Sequence, residues 1–177
     1  MAMNAGAMAD AIIKEMNAIT NDTNWNDGER PPKTSFIEAF DKGLIEYVEK
    51  NMEITYSWKA ELPPPASTPD PVVSFASVLI VKDKSIGQPQ TLAEWGKLIM
   101  ACFKKAEIKH SDDFSAVTAG KLLTLELVIV PQPKPFPDGL KSVCDQVCQW
   151  LLTCIDPVPL SGVHGSYAGA TTGMVIA

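Results

Sequence analysis

Histidine is scarce in this chain. Only His110 and His164 occur in 177 residues, so a nucleophile has little choice of imidazole base. Gly165-Ser166-Tyr167-Ala168-Gly169 lacks the residue between glycine and serine that a nucleophile elbow requires. His164 stands in a glycine-rich stretch with little rigid support for a catalytic group. No phosphate-binding glycine loop and no dinucleotide fingerprint is present. Dense positive charge is missing too. Lys104-Lys105 and Lys82-Lys84 are the only tight basic spots, each beside an acid (Glu107, Asp83), and the net charge is -6. Affinity for phosphate backbones comes largely from cationic contacts, so direct nucleic-acid binding is not expected.

Long apolar runs are also lacking. The longest uncharged stretch, Pro157 to Ala177, is interrupted by Gly, Ser, Thr and Pro, so no membrane partner is expected. The opening MAMNAGAMADAIIKEM has no basic start followed by a long apolar core, which points to synthesis in a cytosol. The Asn21-Asp22-Thr23 sequon carries no meaning there.

The four cysteines are spaced unlike a zinc site. Cys144 and Cys148 lie four apart, Cys154 follows a turn and a half later, and Cys102 is elsewhere. Structural zinc draws close pairs from tight turns, whereas cysteines within apolar helical faces behave as small hydrophobes. Disulfides are disfavoured by a cytosolic origin, with extracellular particles the exception. His110 beside Asp112 and Asp113 has no further ligand pair and reads as a solvated loop. Glu46, Glu49 and Glu53 read as an exposed helix flank. The expectation is therefore no catalytic set, no cofactor and no metal.

What is present suits a globular domain. Hydrophobic residues make up 46% and charged residues 20% of the chain. A helix is expected from about Ala7 to Ile19, with Ile12, Met16 and Ile19 on one stripe. Residues 20–34 read as a loop holding Trp25. Ser35 and Glu38 predict a capping box opening a second helix, whose Ile37, Phe40, Leu44 and Val48 share a face flanked by Phe36 and Tyr47. Gly43 inside that helix points to close packing. Ile54, Tyr56 and Trp58 alternate with polar residues as in a strand. The proline-rich linker 62–71 reads as a stiff connector or a docking motif. Val72 to Val81 suits a buried strand. Thr91 and Glu94 predict a capping box for a helix carrying Leu92, Trp95, Ile99, Cys102, Phe103 and Ala106. Leu122 to Val130 is β-rich, and Asp138 to Ile155 predicts a helix with Leu140, Val143, Cys144, Val147, Leu151, Cys154 and Ile155 on a broad apolar face.

These readings predict an α+β or mixed α/β fold in which about four helices pack on a small β-sheet. The sheet would come from residues 54–60, 72–81 and 122–130, with 171–176 as a further member. Residues 1–156 would form one globular domain, and 157–177 an extended, uncharged, Gly-rich C-terminal arm that pairs within its own subunit or with a neighbour's sheet edge. Pro159, Leu160, Tyr167, Thr172, Met174, Val175 and Ile176 are the candidate interface residues.

Phe36-Ile37-Glu38-Ala39-Phe40 through Leu44-Ile45-Glu46-Tyr47-Val48, followed by the PPPASTPDP linker and the charge-free terminus, resembles small virion structural proteins of tailed bacteriophages. The chain departs from the simplest form of that pattern by a whole helix and strand between Thr91 and Val130. The resemblance implies a non-enzymatic, multi-copy structural role in a neck, tail or baseplate. It also implies a virion location after synthesis in the host cytoplasm, with copies of itself and other virion proteins as partners. A cellular adaptor using the proline-rich loop or the terminus is the alternative, and a small enzyme of unknown class is third.

Overall fold

A computed structural model describes residues 3–20, 33–52, 54–61, 72–110, 117–118, 126–130, 132, 134–153, 161–164 and 167–176. Among them the elements run α1 (Ala5–Thr20), α2 (Lys33–Asn51), β1 (Ile54–Glu61), β2 (Val72–Ile80), α3 (Leu92–Lys104), β3 (Glu107–His110), β4 (Val117–Thr118), α4 (Asp138–Thr153), β5 (Ser161–His164) and β6 (Tyr167–Ile176).

Helix α1 starts at a side-chain cap. The Asn4 Oδ1 accepts the Ala7 N–H at 3.0 Å, and the Asn4 N–H donates to the Tyr47 hydroxyl at 2.9 Å. Met8, Ile12 and Met16, at four-residue spacing, are buried with Ala9. They face α2, where a Cβ on Gly43 would lie 2.7 Å from the Ile12 Cα. No rotamer relieves a clash with backbone, so glycine lets the two helices approach this closely. Lys42 and Glu15 bridge the same crossing at 2.6 Å.

The other face of α2 is aromatic. Phe40 is fully buried and its ring centroid lies 4.4 Å from that of Trp95 on α3, with Phe36 at 6.0 Å from Trp95 and 6.2 Å from Phe136. Helix α3 opens on the expected box. The Thr91 hydroxyl accepts the Glu94 N–H at 3.1 Å, and the Glu94 carboxylate accepts the Gln90 N–H at 2.8 Å. Phe103 reaches α4 through Trp150 at 6.3 Å. Leu140, Cys144, Val147, Cys148 and Leu151 of α4 complete the core, with the Cys148 Sγ 4.0 Å from the Met8 Sδ. At α2 the box expected of Ser35 is displaced, because the helix already begins at Lys33 and Ser35 lies inside its first turn.

Two corrections concern the sheet. The backbone forms a six-stranded ladder in the order β4-β3-β2-β1-β6-β5, antiparallel throughout. The four helices do not pack on it as a covering layer, contrary to the α+β expectation of helices on a small β-sheet. Where side chains are described, the structure is mostly helical. Among the residues whose side chains are described, the core is built by helices on helices, with Ile54 and Leu79 added from the ends of β1 and β2. The strand expected at 122–130 is not part of the ladder where it is described. Residues 126–130 run extended outside the ladder, and 122–125 lie outside the described residues.

Helices hold 126–130 instead. A Cβ on Gly96 of α3 would stand 2.5 Å from the Leu127 carbonyl oxygen. On the other side the Gln146 amide of α4 accepts the Val130 N–H at 2.6 Å and donates to the Val130 carbonyl at 3.0 Å. Leu127 and Ile129 are buried while Val128 and Val130 are exposed. The period-2 pattern was present, but the segment lies in the groove between two helices rather than beside a strand.

The second correction concerns the terminus, which is not an extended arm. Residues 161–176 form a hairpin, and β6 is flanked on both sides, by β1 and β5. Ile176 pairs with Ile54, and a bulge at Thr172 separates the Gly173–Ser57 and Thr171–Trp58 pairs.

Gly43→Ala should lower stability by about 1–3 kcal/mol, the range for overpacking, despite the better helix propensity of alanine. A raised melting temperature in a thermal scan would contradict the Ile12 contact. Leu151→Ala should cost about 2–5 kcal/mol by leaving a cavity, measured by urea unfolding, since Leu151 is 1% exposed.

Candidate functional site

The titratable chemistry among the described residues gathers where α2 and α3 meet residues 81–91, a strap linking β2 to α3. Val81, Ile86 and Pro89 of the strap are buried, whereas Lys82, Asp83, Lys84 and Ser85 are exposed. Two carboxylates of α2, eight residues apart, hold it. The Glu49 Oε1 accepts the Val81 N–H at 2.7 Å and pairs with the Lys84 ammonium at 2.5 Å. The Asp41 Oδ2 accepts the Ile86 N–H at 3.1 Å. Gly87 has a φ of +100°, a conformation few other residues adopt without strain, and its amide also lies near this carboxylate. From α3, the Cys102 thiol donates to the Asp83 carbonyl at 3.4 Å.

Asp41 is the one buried charged side chain among the described residues, 8% exposed, and its Oδ1 has no hydrogen-bond partner of good geometry. Burial pushes its carboxyl up from 3.8 to about 6. The Ile86 and Gly87 amides oppose that rise and the Asp83 charge adds to it. Burial likewise raises the Cys102 thiol to about 11, with the Asp83 and Asp41 carboxylates adding and Lys105 and Lys84 opposing. Burial raises Cys148 to about 11 and drives Cys144 upward as well. These thiols are protonated at neutral pH, the form that neither attacks nor binds metal. Among the described residues no group of three His, Cys, Asp or Glu side chains could hold a metal ion, and no helix is long and apolar enough to cross a membrane.

One concavity borders the strap, and another lies at the starts of α1 and α4. The first, of about 250 Å³, is lined by Phe36, Ile37, Pro89, Gln90, Thr91, Leu92 and Trp95, and has no titratable wall. The other, of about 440 Å³, sets Lys134 and Lys141 against Asp138 and Asp145, so its charge is balanced.

Sequence reasoning missed this cluster. Glu49 read as an exposed flank, yet it carries the strap's first anchor. Asp41 left a trace in the sequence: a carboxylate inside the Ile37–Leu44–Val48 stripe, where an apolar residue belongs. The expected interface residues fall elsewhere. Tyr167, Thr172, Met174, Val175 and Ile176 lie on β6, Val175 opposite Thr55 and Met174 opposite Tyr56, while Pro159 and Leu160 lie outside the described residues. The proline-rich linker, Trp25, Cys154 and the Asp112–Asp113 pair also fall outside them. Within the single chain, the terminus pairs with β1 through β6. No protein-family profile, curated protein or solved structure matches this chain significantly.

The raised pKa of Asp41 fixes the sign of its pH dependence. Between the unfolded value and about 6 the folded state holds the proton more tightly, so stability falls as pH rises through that window. The total is about 3 kcal/mol at roughly 1.4 kcal/mol per unit, an upper bound where water reaches the site. Urea titrations at pH 4.5 and 7.5 should show wild type losing stability toward neutrality more steeply than Asp41→Asn, whose carboxamide oxygen can still accept the Ile86 N–H. Equal slopes would refute the assignment.

Proposed function

We propose that the chain is a structural subunit of a tailed-phage virion, of neck, tail or baseplate type, acting through protein–protein contacts rather than catalysis. The virion setting rests on the resemblance of the Phe36–Val48 helix, the linker and the charge-free terminus. The observation that carries the contact reading is the free edge of β5. Among the described residues this strand pairs only with β6, and it closes one end of the ladder. Its sequence, Ser161-Gly162-Val163-His164, contains none of the lysine, glutamate or proline with which soluble proteins protect an edge. An unprotected edge offers unpaired main-chain groups to a strand of a neighbouring subunit, and main-chain pairing then supplies the affinity. Strand β6, closed in on both sides, positions that edge.

Copies of the chain and other virion proteins are the proposed partners, and the virion the proposed location. Mass spectrometry of purified particles should find the chain in several copies per particle, and its absence would overturn the virion reading. Val163→Lys should lower incorporation at least about tenfold, equivalent to roughly 1.4 kcal/mol of contact, while the isolated subunit melts as wild type. Unchanged incorporation would remove β5 from the contact.

A further inference from the structure

We propose that residues 82–89 of the strap open as a unit from the α2–α3 seam, with the Asp41 side chain as their pH-dependent latch, closed in mild acid and loosened near neutrality. The attachment of the strap supports this. Among the described residues no main-chain hydrogen bond ties positions 82–89 to the rest of the fold. Side chains hold it: Asp41 at the Ile86 amide, Glu49 at the Val81 amide and the Lys84 ammonium, Cys102 at the Asp83 carbonyl, and Glu107 of β3 at the Lys82 ammonium, 2.5 Å away. The Asp83 carboxylate spans only to Ser85 within the strap, accepting its N–H at 3.0 Å. An element attached by so few bonds has a lower opening free energy than the core beneath it.

Protonation biases the latch. The charged groups around it are Asp83 and Lys84 on the strap, Glu49 on α2, and Lys105 beside the Cys102 thiol on α3. Asp83 is the one that acts on Asp41 directly, disfavouring its ionised form, and Lys84 is engaged by Glu49. The closed strap buries the carboxyl, one oxygen of which has no partner, and its pKa there is about 6. In the open state water solvates the group and the pKa returns toward the ordinary carboxylate value. The closed state therefore binds the proton more tightly, and raising the pH favours opening. Opening uncovers Ile86 and the Leu98 side chain on which Gly87 rests, and frees the Cys102 thiol.

Amide hydrogen exchange followed by NMR on the intact chain tests this. With rates corrected for intrinsic chemistry, the opening constant at Ile86 and Gly87 should rise roughly tenfold between pH 5 and pH 7.5, as two such pKa values require. The rise should be insensitive to low urea, as a local opening is. In Asp41→Asn the constant should be flat over that range, while Glu49→Gln should keep the pH dependence. A pH-independent wild-type profile would overturn the proposal without any variant. So would exchange at Ile86 that follows the urea dependence of Phe40, because the strap would then open only with the whole fold.

Discussion

The contact between Gly43 and the backbone of Ile12 is the constraint on which the rest of the structure depends. It sets how closely α1 lies on α2, and therefore which side chains of α2 remain for other partners. With α1 on one side, α2 turns Phe36 and Phe40 to Trp95 and the Asp41 and Glu49 carboxylates to the strap. One helix thus meets α1, α3 and the β2–α3 connection along most of its length. Dispersion contacts of this kind are individually tiny and fall off over fractions of an ångström, so a displacement at the crossing is felt at all three.

Much of this was legible because helical burial leaves a periodic trace. Ile37, Phe40, Leu44 and Val48 read as one face from spacing alone, and all four are buried. Thr91 and Glu94 announced a helix start through chemistry confined to four residues. Gly43 was legible as a close approach because glycine inside a helix is unfavourable without a packing reason.

What escaped is what tertiary pairing decides. Strand β3, Glu107-Ile108-Lys109-His110, has one apolar residue and gains its conformation from β2. Strands β5 and β6 are rich in glycine, which is poor in strands. Ala60, Gly169 and Gly162 follow one another across β1, β6 and β5, a row of small residues that no local pattern reveals. The strand reading failed the other way at 126–130. The alternation there is real, but alternation reports one buried face and not the identity of the neighbour. Gly96 and Gln146 decide that neighbour, and both are distant in sequence. The strap cluster was hidden for a similar reason, since main-chain amides, which carry no sequence signature, are the groups that Asp41 and Glu49 bind.

The described core is helical, and the ladder is joined to it through the buried ends of β1 and β2 at Ile54 and Leu79. The central claim is that the helices around α2, rather than the ladder, hold the chain together. Native-state hydrogen exchange across a urea series measures this most directly. The account predicts that amides of α2 near Gly43 exchange only through global unfolding, while those of β5 open at clearly lower free energy. Ladder amides that outlast α2, or α2 amides that open locally while β1 and β6 stay protected, would contradict it.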